Sequence, residues 1–289
     1  MARVVVTGGS GKLGRAVVAE LVAHGWVVVN VDRAAPSVPQ PCPYVRVDLT
    51  DYGQVAQALT RVDDRYDRVD AVVHLAAIPA PGLTVNSVVF ANNITATYNV
   101  FSAARAAGIR TIVWASSETV LGLPFDTPPP YIPVDEDYPA RPESTYSLVK
   151  HLEEQMAAQM CRWDPSLTMI GLRFSNVMDP EDYEQFPSFD ADPRLRKWNL
   201  WGYIDARDGA QAVRKALGHQ VPGLDVFVIA NADTVMSRPD SELVAEVFPD
   251  VPYDSRTEEN ATLLSIDKAR RVLGYEPRHS WRTEVGGAD

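Results

Sequence analysis

Short apolar runs rich in valine and isoleucine alternate with longer amphipathic stretches through the first two thirds of the chain. The short runs predict β-strands, and apolar positions three and four residues apart predict helices. Their alternation predicts an α/β fold, with a doubly wound parallel sheet and right-handed crossovers. The predicted strands cover residues 4–6, 26–31, 44–47, 71–74, 111–115, 169–174 and 225–230, and the predicted helices cover residues 12–24, 50–61, 88–107, 144–160, 205–217, 239–247 and 265–273.

The alternation stops after residue 174, where a segment without regular pattern begins. This segment, residues 175–203, carries the basic and aromatic side chains Arg194, Arg196, Lys197, Trp198 and Trp201. A helix and a strand follow, and the tail holds two helical patterns, the last expected to be capped by Ser265 and Gly274. We therefore predict a sheet domain of residues 1–174 plus 204–230 and a small C-terminal substrate lobe of residues 175–203 plus 231–289.

A glycine cluster follows the first predicted strand and opens the first predicted helix. Gly8 suits a sharp turn because glycine tolerates positive φ. Gly11 would let a pyrophosphate approach the backbone, and Gly14 would let the helix lie close to the strand. The start of the helix, with Lys12 and Leu13, offers free N–H groups to phosphate oxygens. This spacing, in this strand-to-helix context, predicts a dinucleotide site.

An acidic residue ends the second predicted strand. Asp32 is placed to accept both hydroxyls of an adenosine ribose, and its charge would repel a 2′-phosphate. We therefore expect NAD as the cofactor. Arg33 follows directly and could accept a phosphate, so NADP stays the alternative.

Charge and cysteine content exclude several classes of protein. The net charge of the 289-residue chain is −11, which argues against a nucleic-acid partner because such sites are normally basic. The two cysteines, Cys42 and Cys161, are not spaced like metal ligands, and so few indicate a reducing cytoplasm rather than a disulfide scaffold. Apolar runs stay well short of the roughly 20 residues that a membrane span needs. We expect a cytoplasmic protein without metal or membrane contacts.

Candidate catalytic residues follow the fifth predicted strand and open the helix after it. Ser116 and Ser117 come at the ligand end of the strand. Tyr146 and Lys150 are one helical turn apart and therefore share a face. At about 4 Å and an effective dielectric constant near 20, the ammonium would favour the phenolate by about 4 kcal/mol, enough to lower a tyrosine pKa from about 10 to about 7. Such a group is suited to general base catalysis.

These motifs resemble those of the extended short-chain dehydrogenase/reductases, the NAD-dependent epimerase/dehydratase family. The resemblance covers nearly the whole chain and implies a Rossmann fold. Ser117 would hydrogen-bond the reacting oxygen, Tyr146 would move the proton, and Lys150 would hold the nicotinamide ribose, with Asn93 supporting the lysine. His74 is expected to be a structural residue at the strand end. The resemblance is carried by residues 7–14, 74–77, Asn93, Ser116, Ser117, Tyr146, Lys150, 203–208 and 273–277, and it adds Asp48, Leu49, Leu75, Ala76 and Ala77 to the expected cofactor contacts.

Family members often dimerise through the two helices predicted at residues 88–107 and 144–160. The resemblance therefore implies a homodimer.

Residues 139–142 and 179–183, with Arg196, look like the corresponding parts of uronate dehydrogenases, where the arginine binds the substrate carboxylate. The chain is also short for an enzyme that must hold a nucleotide sugar. We therefore expect NAD-dependent oxidation of a hydroxyl of a sugar or sugar acid. The alternatives are a nucleotide-sugar 4-epimerase with tightly bound NAD, and a sensor that only binds NAD, for which an intact serine, tyrosine and lysine have no use. The expected substrate contacts are Ser117, Glu118, Tyr146, Asn176 and Arg196.

Overall fold

The computed structural model describes residues 1–62, 65–66, 68–254 and 258–285. Seven strands form a parallel sheet, and two short strands pair beside it. The strands are β1 (Arg3–Thr7), β2 (Val27–Asp32), β3 (Tyr44–Arg46), β4 (Ala71–His74), β5 (Thr111–Ser117), β6 (Thr168–Phe174), β7 (Val177–Met178), β8 (Ile204–Asp205) and β9 (Gly223–Ile229).

The sheet order is β3-β2-β1-β4-β5-β6-β9, so the chain winds outward in both directions from β1 and β4. This arrangement confirms the predicted doubly wound parallel sheet. The helices on its faces and in the tail are α1 (Lys12–Ala23), α2 (Tyr52–Thr60), α3 (Asn86–Ala106), α4 (Thr145–Trp163), α5 (Ala206–Leu217), α6 (Asp240–Val247), α7 (Asp267–Leu273) and α8 (Trp281–Val285).

Apolar side chains on both faces of the sheet bury its central strands. In β1, Val4 and Val6 join one core cluster, whereas Val5, between them, joins the cluster on the opposite face. Successive side chains of a strand point to opposite faces, and a parallel sheet is covered by helices on both. Continuous valine runs are therefore what such strands require, and all three valines are fully buried.

The starts of α4 and α7 show how well the local sequence predicts where a helix begins. At α4, the Ser144 hydroxyl accepts from the Ser147 N–H at 3.1 Å, and the Ser147 hydroxyl accepts from the Ser144 N–H at 2.8 Å. This reciprocal cap fixes the start of the helix that carries Tyr146. The predicted cap of α7 by Ser265 is wrong, because the helix begins after Ile266 and Ser265 lies one residue too early. Gly274, with φ of 66°, ends α7 as predicted.

The segment 175–203 contains β7 and three 3₁₀-helices, Pro180–Ala191, Pro193–Leu195 and Lys197–Asn199. Its Tyr183, Phe186 and Trp201 are fully buried in the same core cluster as α5 and the tail helices. The division into a sheet domain and a lobe stays a prediction. Within the described ranges, no helix combines the length and apolarity that crossing a bilayer requires.

Candidate active site

A cavity of about 1080 Å³ opens at the carboxyl edge of the sheet. Ligands bind at this edge in doubly wound folds because the loops after the strands converge there. Most of the predicted site residues line it, and the two that do not are Asn93 and Arg196. Those that line it are Gly8, Gly11, Lys12, Leu13, Gly14, Asp32, Arg33, Asp48, Leu49, Leu75, Ala76, Ala77, Ser117, Glu118, Tyr146, Lys150 and Asn176.

The glycine loop fits a dinucleotide pyrophosphate. Gly8 has a φ of +72°, and a Cβ there would lie 2.6 Å from the Ala76 nitrogen. A Cβ on Gly14 would lie 2.0 Å from the Gly8 carbonyl oxygen, so only glycine allows this approach of helix and strand. At Gly11 the nearest atom would be 3.4 Å away, and this residue lines the cavity. The loop thus leaves room for a ligand at Gly11 and the N-terminus of α1.

Two acidic residues lie where the adenosine half of a dinucleotide would bind. Asp32 ends β2, and its carboxylate accepts from the backbone N–H groups of Ser10 at 3.1 Å and Ala34 at 3.2 Å. These bonds hold the carboxylate at the cavity wall. At Asp48, hydrogen bonds from the Thr50 hydroxyl and backbone N–H lower the pKa of the carboxyl. Both groups fit the expected ribose and adenine contacts.

The Asn93 side chain bonds to the loop after β4. Its side-chain oxygen accepts from the Ile78 N–H at 2.8 Å, and its side-chain nitrogen donates to the Ile78 carbonyl at 3.0 Å. Asn92 is a further partner at 3.0 Å. These bonds fix the backbone that follows Ala77 on the cavity wall. The expectation that Asn93 supports the lysine stays a prediction.

Tyr146, Lys150 and Ser117 come together as predicted. All three side chains are buried, and the Ser117 hydroxyl faces the Tyr146 hydroxyl. The Lys150 Nζ lies 5.9 Å from the centre of the Tyr146 ring. It donates to the Ala115 carbonyl at 2.8 Å and to Glu153 Oε2 at 2.9 Å.

The expected acidification of Tyr146 is not found. Burial raises the pKa of Tyr146 above its usual value of 10.0, and this outweighs the lowering by Lys150 and by the Ser117 hydrogen bond. The negative charges of Glu153 and Glu118 raise the pKa further. The prediction of a pKa near 7 considered Lys150 alone, whereas the ammonium is paired with a buried carboxylate.

The substrate end of the cavity holds a second buried carboxylate. Burial raises the pKa of Glu118 from about 4.5 to about 7, against the lowering effect of Ser175, Asn199, Arg196 and the Asn176 backbone. Glu118 Oε1 accepts from the Asn199 side chain at 3.2 Å, while Oε2 is buried without a hydrogen-bond partner.

Arg196 packs against aromatic side chains beside the cavity, and its expected binding of an anion stays a prediction. Its guanidinium carbon lies 4.8 Å from the ring centre of Trp198 and 5.3 Å from that of Phe189. One nitrogen donates to the Gly202 carbonyl at 3.0 Å. Trp198 lines the cavity, whereas the stacked arginine does not.

Glu153 is the site residue that the sequence reasoning missed. It is fully buried and pairs with Lys150 three positions earlier on α4. The signal was present, since side chains three residues apart on a helix are neighbours. The other partner of Glu153 is Thr97 on α3, whose hydroxyl donates to Oε1 at 2.9 Å and cannot be located from spacing.

The model of the NAD dependent epimerase/dehydratase family matches residues 4–230, and the chain belongs to this family. UDP-glucose 4-epimerase 3 of Oryza sativa subsp. japonica is 30% identical over 93% of this chain and 75% of that protein. UDP-glucose 4-epimerase of Homo sapiens is 29% identical over 70% of this chain and 60% of that protein.

Solved structures agree with the family. A UDP-galactose 4-epimerase superposes with a TM-score of 0.71 and 27% identity, covering 98% of this chain and 96% of that one. MoeE5 in complex with UDP-glucuronic acid and NAD gives a TM-score of 0.72 at 25% identity, covering 99% and 97%. A mutated uronate dehydrogenase, at 21% identity and a TM-score of 0.66 over 99% and 86%, shares the fold. The expected Rossmann fold and the NAD cofactor are confirmed.

Proposed function

We propose that this chain interconverts the epimers of a nucleotide sugar at C4 by NAD-dependent hydride transfer. The observation that carries this proposal is the buried group of Tyr146, Lys150 and Ser117 at the inner end of a cavity whose outer walls fit a dinucleotide. A proton-accepting hydroxyl beside a dinucleotide site is suited to oxidising an alcohol.

Each side chain has a role that follows from its place. NAD, when bound, would supply the hydride acceptor and, once reduced, the hydride donor. Tyr146 takes the proton of the substrate hydroxyl and later gives it back. Ser117 would hydrogen-bond the reacting oxygen, and Lys150, held by Ala115 and Glu153, would bind the nicotinamide ribose. Gly11 and Asp32 bind the pyrophosphate and the adenosine ribose.

Two findings favour epimerisation over the expected net oxidation. The curated relatives named above are UDP-glucose 4-epimerases. The argument that the chain is too short for a nucleotide sugar is weakened, because it spans 96% of a UDP-galactose 4-epimerase structure. A family member of this length can therefore act on a nucleotide sugar.

Oxidation of a free sugar or sugar acid is the second candidate. The resemblance of residues 139–142 and 179–183 to uronate dehydrogenases favours it. A smaller substrate would need fewer contacts outside the sheet domain. In this case Glu118, Asn176 and Trp198 at the inner end of the cavity would recognise the sugar directly.

The two candidates differ in the fate of the hydride. With NAD and a UDP-hexose, an epimerase yields the other hexose and no net NADH, since the hydride returns to the sugar. With free aldoses or uronates, a dehydrogenase accumulates NADH in proportion to substrate. Product chromatography together with absorbance of reduced nicotinamide distinguishes them. Net NADH from free sugars, without epimer formation from any UDP-sugar, would overturn the epimerase proposal.

We also propose that the chain forms a homodimer through α3 and α4. Val88, Phe90 and Tyr98 on α3 and Leu148 on α4 are exposed apolar side chains. Pairing these helices with a second copy would bury them. Light scattering should give twice the mass of 31.8 kDa.

The free Cys42 and Cys161 support the expected cytoplasmic location.

A further inference from the structure

A chain of buried hydrogen bonds connects Lys150 to both cofactor loops. Thr97 donates to Glu153 at 2.9 Å, so its hydroxyl oxygen is free to accept from His74 Nε2 at 3.0 Å. His74 Nδ1 then accepts from the Thr7 hydroxyl at 2.7 Å. One tautomer of neutral His74 satisfies every bond. Thr7 immediately precedes the glycine loop, and His74 immediately precedes Leu75.

Every residue in this series of hydrogen bonds is nearly inaccessible to solvent. Thr7, Thr97 and Glu153 are at most 1% exposed, and His74 is 2% exposed. Burial, followed by the charge of Lys150, lowers the pKa of His74 to about 3, so this ring is neutral. Among these hydrogen-bonded residues, the carboxylate of Glu153 is therefore the group that can balance the positive charge of Lys150.

The other charged groups near Lys150 and Tyr146 have different partners. Glu154, the next residue of α4, forms two bonds with Arg173 of β6 at 3.0 and 2.9 Å. Glu118 lies on the opposite side, towards Arg196 and Asn199. Glu153 alone of these carboxylates bonds directly to Lys150.

We propose that Glu153 is a positioning residue of the hydride-transfer site, a buried counter-charge that holds the Lys150 ammonium and limits its action on the Tyr146 hydroxyl. The sequence motif of tyrosine and lysine would then not fix the acidity of the tyrosine by itself. With Glu153 charged, Tyr146 requires a higher pH to lose its proton, because the negative charge opposes the phenolate. The proposal rests on the proposed function only for the role of Tyr146 as proton acceptor.

The test measures Tyr146 directly and does not depend on turnover. Protein labelled with ¹³C at the tyrosine Cζ is titrated by NMR with NAD present, and Tyr146→Phe assigns the signal. Glu153→Gln removes the charge while keeping nearly the same shape. The titration midpoint of Tyr146 should fall by about one pH unit, the size expected for one charge several ångströms away at intermediate dielectric. An unchanged or higher midpoint would overturn the proposal.

Three further variants separate charge from packing. Glu153→Asp keeps the charge and should keep the midpoint close to that of the unaltered protein. Glu153→Met also removes the charge, so the midpoint should fall as in Glu153→Gln; this variant carries the test if Glu153→Gln fails to fold. Glu242→Gln removes an exposed carboxylate on α6 and should leave the midpoint unchanged. Equal shifts in Glu153→Asp and Glu153→Gln would indicate packing alone and overturn the proposal.

A substrate assay then tests the proposed function separately. If the Tyr146 midpoint moves as expected but no sugar reacts, the reaction is wrong and the role of Glu153 stands. If sugars react and the midpoint does not move, the role of Glu153 is wrong. With both correct, the rising limb of the pH profile of kcat/KM should move to lower pH in Glu153→Gln by the same amount as the midpoint.

Discussion

The cofactor end and the substrate end of the cavity are lined by different kinds of chemical groups. At the cofactor end, backbone N–H groups and three glycines make the surface, and a Cβ on Gly8 or Gly14 would meet backbone atoms. At the substrate end, the surface includes buried ionisable side chains, such as Glu118, whose Oε2 has no hydrogen-bond partner, and Lys150, which pairs with Glu153. Backbone geometry depends on residues close in sequence, whereas the charge state of a buried side chain depends on groups from several distant segments. The first can be predicted from a motif and the second cannot.

The largest expected effect is at the substrate end. Tyr146→Phe removes the proton acceptor while keeping the ring, so turnover should fall by about 10²–10⁴-fold, the usual contribution of general acid–base catalysis. NAD affinity should change little because the glycine loop is untouched. Steady-state rates and a fluorescence titration with NADH check both parts. Tyr52→Phe, an exposed tyrosine on α2, is the matched control and should retain full activity.

Glu118 should make stability depend on pH. Its pKa is about 7 in the folded protein against about 4.5 ordinarily, so the folded state binds the proton more tightly than the unfolded state. The free energy of unfolding therefore falls as pH rises from about 4.5 to about 7, by up to about 3 kcal/mol. Glu118→Gln lacks this loss, and it should be more stable than the unaltered protein at pH 8 but not at pH 4.5. If the free energies of unfolding of Glu118→Gln and of the unaltered protein differ by the same amount at both pH values, the burial of this charge is contradicted.

Two glycine variants should separate folding from cofactor binding at the other end. A Cβ on Gly14 would overlap the Gly8 carbonyl, so Gly14→Ala should destabilise the fold by about 1–3 kcal/mol. A Cβ on Gly11 meets no close protein atom but would project where the pyrophosphate binds. Because Gly11 is the N-cap residue of α1, Gly11→Ala should lower Tm slightly, by less than Gly14→Ala, and lose about tenfold in NAD affinity, or about 1.4 kcal/mol. Scanning calorimetry measures Tm, and titration calorimetry measures NAD affinity. A lower Tm in Gly11→Ala than in Gly14→Ala would refute the assignment of Gly14 to folding and of Gly11 to cofactor binding.

What the sequence predicts follows this same division. The sheet, the glycine loop, Asp32 and the meeting of Tyr146 with Lys150 were all predictable, because each depends on spacing within one element or on the rule that ligands bind at the carboxyl edge. The pKa direction of Tyr146 was predicted wrongly because burial and Glu153 were not considered. Asn93 and Arg196 do not line the cavity. Asn93 bonds to Ile78, and Arg196 packs against Phe189 and Trp198, and no local sequence pattern identifies these contacts.

The central claim is that a carbinol carbon of a sugar gives its C–H hydrogen as a hydride to NAD held by the glycine loop, while the hydroxyl on that carbon gives its proton to Tyr146. Rapid mixing of the NAD-loaded protein with UDP-hexoses, free aldoses and uronates, followed by absorbance of reduced nicotinamide, tests this most directly. We predict reduced nicotinamide in the first turnover with at least one of these sugars. It should stay at or below the enzyme concentration for an epimerase and rise beyond it for a dehydrogenase. No reduced nicotinamide with any of the sugars, from protein shown to bind NAD, would contradict the account.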